Sequence, residues 1–157
     1  MIQKNSAMPV GELQELKNGE MITHNTAEFF ANKKVVMFAV PGAFTPTCSE
    51  AHLPGYVVLA DEFKAKGVDA IICLSVNDAF VMSAWGKSQN AENIMMLADG
   101  DGSYTKALGL SMDTAAFGGV RSQRYAMIID NGVVTNLNVE PAKSFEVSKA
   151  EVIIKAL

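Results

Sequence analysis

The chain lacks most of the features that announce a protein class. It has two cysteines, Cys48 and Cys73, and two histidines, His24 and His52. Neither the two cysteines nor the two histidines are closely spaced, which speaks against the paired ligands of a zinc site. Two cysteines are also too few for the disulfide framework of a small secreted domain. No basic block or arginine-rich stretch is present, and 17 acidic residues outnumber 13 basic ones, so no nucleic-acid partner is expected. No apolar run approaches the roughly 20 residues that span a bilayer. The opening Met1-Ile2-Gln3-Lys4-Asn5-Ser6 lacks the apolar core of a secretory signal. The expectation is a reduced, cytoplasmic protein with no membrane contact. No repeat, low-complexity segment or linker interrupts the sequence, so residues 1–157 read as one domain. A hydrophobic content of 49% supplies a substantial core.

What is present centres on Pro41-Gly42-Ala43-Phe44-Thr45-Pro46-Thr47-Cys48. The apolar run Val35 to Val40 leads into it and reads as a short buried strand. Pro41 and Gly42 end that strand, because proline lacks the amide a central ladder needs. Thr45 and Pro46 then form a helix-start signature, a hydroxyl to cap the first turn and a proline at its first position. On that register Cys48 falls at the third helical position, facing amides with no partner inside the helix. The positive end of a helix dipole favours a thiolate there. The dipole alone is too weak. Bringing a cysteine pKa from about 8.5 to about 6 takes roughly 3.4 kcal/mol, and a helix terminus gives about 0.3–1 kcal/mol. A cation near 4 Å, worth about 4 kcal/mol at an effective dielectric near 20, would supply the difference. An arginine or lysine is therefore expected to fold back onto Cys48.

Along the rest of the chain, Asn18-Gly19 and Asn131-Gly132 each separate two strand-like runs and predict hairpins. Residues 27–30 suggest a short helix. Residues 49–66 have helical spacing through Leu53, Val57, Ala60 and Phe63, with Pro54-Gly55 expected to kink or interrupt it. Ala70 to Val76 is apolar throughout, as a central parallel strand covered on both faces would be. Asn77-Asp78 caps a helix with a stripe of Phe80, Val81, Ala84 and Trp85. A strand over 94–97, a short helix over 103–108 and a final amphipathic helix over 148–157 complete the pattern. Crossovers of this length imply parallel strands, while the second hairpin must be antiparallel. The fold class is α/β, a thioredoxin-like mixed sheet flanked by helices, with an N-terminal β-hairpin.

The string Pro41 to Ser49, with His52-Leu53-Pro54-Gly55 and Val76 to Val81, resembles the type II (atypical, five-like) peroxiredoxins over nearly the whole chain. It is similar to their stand-alone bacterial form, since no fused glutaredoxin domain follows. The resemblance implies a thiol peroxidase acting on hydrogen peroxide and small alkyl hydroperoxides. Cys48 would attack the peroxide and become a sulfenic acid, Thr45 would hold the peroxide, and Pro41 would shield the sulfenic acid. Arg124, just before an apolar strand, would be the cation; Arg121 is the nearby alternative, and the register favours Arg124. His52, one turn after Cys48, is read as a packed, hydrogen-bonded histidine that could tune the site.

Two departures shape the expected mechanism. Residues 142–157 carry no resolving cysteine, and Cys73 is predicted mid-strand while Cys48 sits at a helix mouth. Bridging them needs Cα atoms within about 7 Å, so pairing would require local unfolding. Cys73 is core filler on this reading, and otherwise the one candidate for a resolving or regulatory thiol. One-cysteine chemistry is expected, with glutathione, glutaredoxin or thioredoxin as reductant and no cofactor or metal. A homodimer is expected through Phe44, Phe80 and residues 114–120. A peroxide sensor or redox relay using the same Cys48 is the alternative function. A cysteine hydrolase ranks below both, because neither histidine belongs to such a signature.

Overall fold

Positive φ is cheap for asparagine and glycine, and the chain uses it to turn strands back on themselves. In the computed structural model, which describes residues Met1–Leu157, Asn18 (φ 52°) and Gly19 (φ 80°) join strand β1 (Glu12–Lys17) to β2 (Glu20–Asn25). The Asn25 side chain then caps helix α1 (Thr26–Phe29), accepting from the amides of Ala27 and Glu28. The first apolar run becomes β3 (Lys34–Ala39). After the Pro41–Thr45 loop, a π turn over Cys48–His52 leads into helix α2 (Leu53–Ala65). Strand β4 (Ala70–Ser75), helix α3 (Ala79–Ser88), strand β5 (Met95–Ala98) and helix α4 (Ser103–Leu108) follow. Short strands β6 (Ser111–Asp113) and β7 (Val120–Ser122) pair around a 3-10 turn at Ala115–Phe117. The second hairpin joins β8 (Tyr125–Asp130) to β9 (Val133–Val139) through Asn131 (φ 48°) and Gly132 (φ 78°). Helix α5 (Ala150–Ile154) comes last.

The main sheet has seven strands in the order β2-β1-β5-β4-β3-β8-β9. β3, β4 and β5 run parallel, and β8 enters antiparallel beside β3. This is the mixed, helix-flanked thioredoxin-like sheet that the sequence predicts. Successive residues of β3 face opposite sides, so both sides of the strand must be apolar. Val36, Phe38 and, from β4, Cys73 pack under α2, α3 and α5 with Tyr56, Phe63 and Trp85. Val35, Met37, Ile72 and Leu74 pack on the other side with Phe30, Tyr104 and Leu108. Phe38 and Tyr56 stack with centroids 3.9 Å apart, fixing α2 against the sheet directly below the π turn.

The structure adds one element and shortens another. The β6–β7 pair leaves no mark in the sequence, since three-residue strands carry no readable period. The final helix is shorter than 148–157: Lys149 is its N-cap, and Ser148 is instead a buried polar residue.

Candidate active site

The loop after β3 is held from below by the end of β4. Ser75 Oγ donates to Asn77 Oδ1 at 2.6 Å and lies 3.2 Å from the Val40 carbonyl oxygen. Asn77 Oδ1 also accepts from the Ala43 amide at 3.0 Å. Capping of α3 falls to Asp78 alone, which accepts from the Val81 amide; Asn77 serves the loop. Phe44 adopts φ 64°, a left-handed conformation that costs a bulky residue free energy. Its ring lies 6.4 Å from Trp85, whose Nε1 donates to Ser49 Oγ beside Cys48.

Pro46 and Thr47 are helical, so Cys48 does occupy the third helical position. The cap differs from expectation. Thr45 Oγ1 donates to the Gly42 carbonyl at 2.6 Å and takes no bond from the first turn. Pro54-Gly55 also does not break the helix. Proline has no amide to donate, and the irregularity is absorbed just before it, where the Leu53 amide reaches back five residues to the Cys48 carbonyl. That wider turn carries Cys48 and His52, and both are buried.

The cation expected from energetics is Arg124. It immediately precedes β8, the neighbour of β3, and its Nη2 donates to Cys48 Sγ at 3.1 Å. Its Nη1 donates to His52 Nδ1 at 2.8 Å. Since that nitrogen accepts, the His52 proton must sit on Nε2, which donates to the Ser148 carbonyl at 3.1 Å. Burial first, and the Arg124 charge second, pull the His52 pKa from 6.5 down to about 3, against the opposing Ser148 carbonyl. His52 is therefore neutral. Tyr56 shares the Ser148 carbonyl, donating at 2.8 Å. The Phe145 ring flanks both Arg124 and His52. Pro41, Thr47, Arg124 and Phe145 line a cleft of about 550 Å³, and Arg124 links it to the fully buried Cys48.

Arg121 is not the cation. Its Nε and Nη1 donate to the carbonyls of Gly118 and Val76, tying the β6–β7 loop to the end of β4. Cys73 sits in β4 opposite Phe38, fully buried and unpaired with Cys48. Burial, then the nearby Cys48, push its thiol well up, with Arg124 opposing. Three participants escaped the sequence reading: Glu140, Phe145 and Ser148. They lie on or after the last strand, distant in sequence from Cys48, and no local motif marks them.

With both ring nitrogens engaged, His52 has no free lone pair with which to act as the base of an acyl-transfer triad. A thiol under a guanidinium on a thioredoxin-like sheet defines a thiol oxidoreductase. The Redoxin family model matches residues 3–154. Peroxiredoxin-2D of Arabidopsis thaliana is 51% identical over 143 residues, 90% of this chain and 88% of that protein. The hybrid peroxiredoxin hyPrx5 of Haemophilus influenzae is 47% identical over 84% of this chain and 56% of its own length. Among solved structures, reduced Prx3 from Vibrio vulnificus in complex with hydrogen peroxide is 69% identical. It superposes with a TM-score of 0.98 and 99% coverage of both chains. Peroxiredoxin 5 from Alvinella pompejana, at 34% identity, gives 0.87 over 99% of this chain and 97% of that one. The chain belongs to the Redoxin family as a type II, five-like peroxiredoxin, a thiol peroxidase.

Proposed function

We propose that Cys48 is the peroxidatic residue and that the chain works as a single-domain, one-cysteine peroxidase on hydrogen peroxide and small alkyl hydroperoxides. The observation that carries this is the 3.1 Å contact from Arg124 Nη2 to Cys48 Sγ. The thiolate attacks the terminal peroxide oxygen, the O–O bond breaks, and water or an alcohol leaves once protonated. Cys48 is left as a sulfenic acid. Thr45 has committed its proton to Gly42, so its oxygen offers lone pairs and accepts the O–H of an incoming peroxide. The guanidinium stabilises charge first on sulfur and then on the departing oxygen. Pro41, on the cleft rim, shields the sulfenic acid.

Reduction needs two external thiols. The first condenses with the sulfenic acid to a mixed disulfide and water, and the second releases Cys48 and leaves with the first as a disulfide. Glutathione with glutaredoxin, or thioredoxin, fills this role, and no further cofactor is needed. Burial of Cys73 in β4 supports an outside partner over an internal one. The reading extends to a cytoplasmic homodimer formed through exposed Phe44, Phe80 and Phe117; a monomeric scattering mass at micromolar concentration would reject that contact.

The test is intact mass after one equivalent of hydrogen peroxide, with and without a sulfenic-acid trap, in wild type, Cys48→Ser and Cys73→Ser. A trapped adduct on Cys48 that persists in Cys73→Ser is expected. A loss of two hydrogens that needs both cysteines would transfer the resolving role to Cys73. No reaction at Cys48 would overturn the assignment.

A further inference from the structure

Glu140 is a glutamate left 6% exposed on the wall of the cleft. Its Oε2 accepts from the amides of Glu146 and Ser148 and from Ser148 Oγ, at 2.7, 2.8 and 2.7 Å. Its Oε1 is buried and has no partner. Burial raises its pKa, but bonds from Ser148, Glu146 and Val147 outweigh this and hold the carboxyl below its ordinary value. A charge kept under cover with one oxygen unsatisfied is costly, and a nearby turn could be closed by a neutral side chain.

The contacts around it form a circuit. The Glu140 amide donates to the Arg124 carbonyl at 2.9 Å. The carboxylate gathers residues 146–148, which sets the Ser148 carbonyl under His52 Nε2. His52 Nδ1 then receives Arg124 Nη1. The same bend carries Phe145 against Arg124 and His52, with ring contacts of 5.7 and 5.0 Å. Apart from the sulfur, the recorded partners of the guanidinium, His52 and Phe145, both rest on the segment that Glu140 closes.

We propose that Glu140 is a positioning residue for peroxide reduction: through Ser148 it fixes the His52 tautomer, and through His52 and Phe145 it aims Arg124 at Cys48. This rests on the peroxidase reading of Cys48 for its effect on rate, though not for its effect on His52.

The experiment joins two readouts. The His52 side-chain nitrogens are followed by ¹⁵N NMR, and hydrogen peroxide reduction is followed by stopped flow. Wild type should show a single Nε2–H tautomer. Glu140→Ala should lose that signature and slow the reaction by roughly ten- to a hundredfold, the scale of a misaimed group acting through an intermediary. Glu140→Gln, which keeps an acceptor oxygen in place, should restore the ring signals and recover most of the rate. If the alanine variant does not fold, Glu140→Asp withdraws the carboxylate by one methylene and should reproduce the loss. A folded Glu140→Ala or Glu140→Asp with wild-type ring signals would overturn the proposal, as would altered signals with an unchanged rate. A wild-type chain that reduces no peroxide would reject the peroxidase reading, while the ring signals would still decide whether Glu140 sets His52.

Discussion

Arg124 and His52 meet as a cation and a neutral base, Nη1 to Nδ1 at 2.8 Å, and no carboxylate pairs with the guanidinium. A salt bridge would anchor an arginine more firmly but would also spend its charge on the partner. A neutral acceptor fixes the fork and leaves the charge for whatever the sulfur carries.

Arg124→Ala should therefore leave the fold intact and slow peroxide reduction by at least about a hundredfold, near 3 kcal/mol of barrier. Arg124→Lys keeps a charge but cannot hold sulfur and imidazole with one planar fork, and should fall between. Stopped-flow rates beside circular dichroism check both; an alanine variant at the wild-type rate would mean another cation serves Cys48.

His52 makes the protein sensitive to acid. Its pKa is about 3 when folded and 6.5 as a free side chain. Between those values the unfolded chain binds a proton that the native state refuses, so stability is full above pH 6.5 and declines as pH falls toward 3. The loss is at most roughly 5 kcal/mol. Glu140 acts in the same direction, since its lowered pKa gives stability that is lost as the carboxylate protonates. Urea unfolding from pH 7 to 4 should show this decline, and His52→Gln should flatten it by about one proton. An unchanged slope would mean His52 is solvated or charged in the native state.

Cys73 is expected to be a spectator. Cys73→Ala should reduce peroxide at the wild-type rate and lose about 1 kcal/mol of stability from the vacated core. Mass spectrometry after brief alkylation of the native reduced protein should find Cys73 unmodified, and after denaturation fully modified. Rapid native labelling of Cys73 would contradict its burial.

Gly118 tests how the β6–β7 loop is held. Its φ of −166° suits any residue, so the constraint is space. A Cβ there would stand 2.6 Å from Arg121 Nε, which is tied by hydrogen bond to the Gly118 carbonyl. Gly118→Ala should cost about 1–3 kcal/mol and loosen residues 114–120. Faster amide exchange confined to that loop is the expected signature, and wild-type protection would show that Arg121 yields freely.

The sheet was legible because its signals are local: two Asn-Gly turns, and the uninterrupted apolarity of β3 and β4. Cys48 and Arg124 were legible for different reasons. The cysteine follows a strand end, a proline and a helix start in eight residues; energetics asked only for a cation, and the peroxiredoxin resemblance picked out Arg124 at the head of a predicted strand. The supports of the arginine were not legible. Ser148 acts through its backbone carbonyl and Glu140 through a carboxylate closing on residues six and eight further on, so neither depends on a spacing that periodicity detects. The Thr45 cap misled for a related reason, since a hydroxyl can donate as readily as accept.

The turn before Pro54 carries a consequence for phase. In α2 the inward residues Leu53, Tyr56, Ala60 and Phe63 keep regular α spacing. Continued backwards at 3.6 residues per turn, that spacing would leave the position five before Leu53 rotated about 140° from the inward face. The bond from Leu53 to the Cys48 carbonyl takes up the surplus and returns the sulfur to the sheet side. Cys48 thus sits on a helix wound out of step with its own continuation. Deleting one residue between Cys48 and Leu53 would restore the step and leave the cysteine one regular turn before Leu53, on the inward face. Winding the present five-residue spacing as regular α-helix would instead turn the thiol away from Arg124.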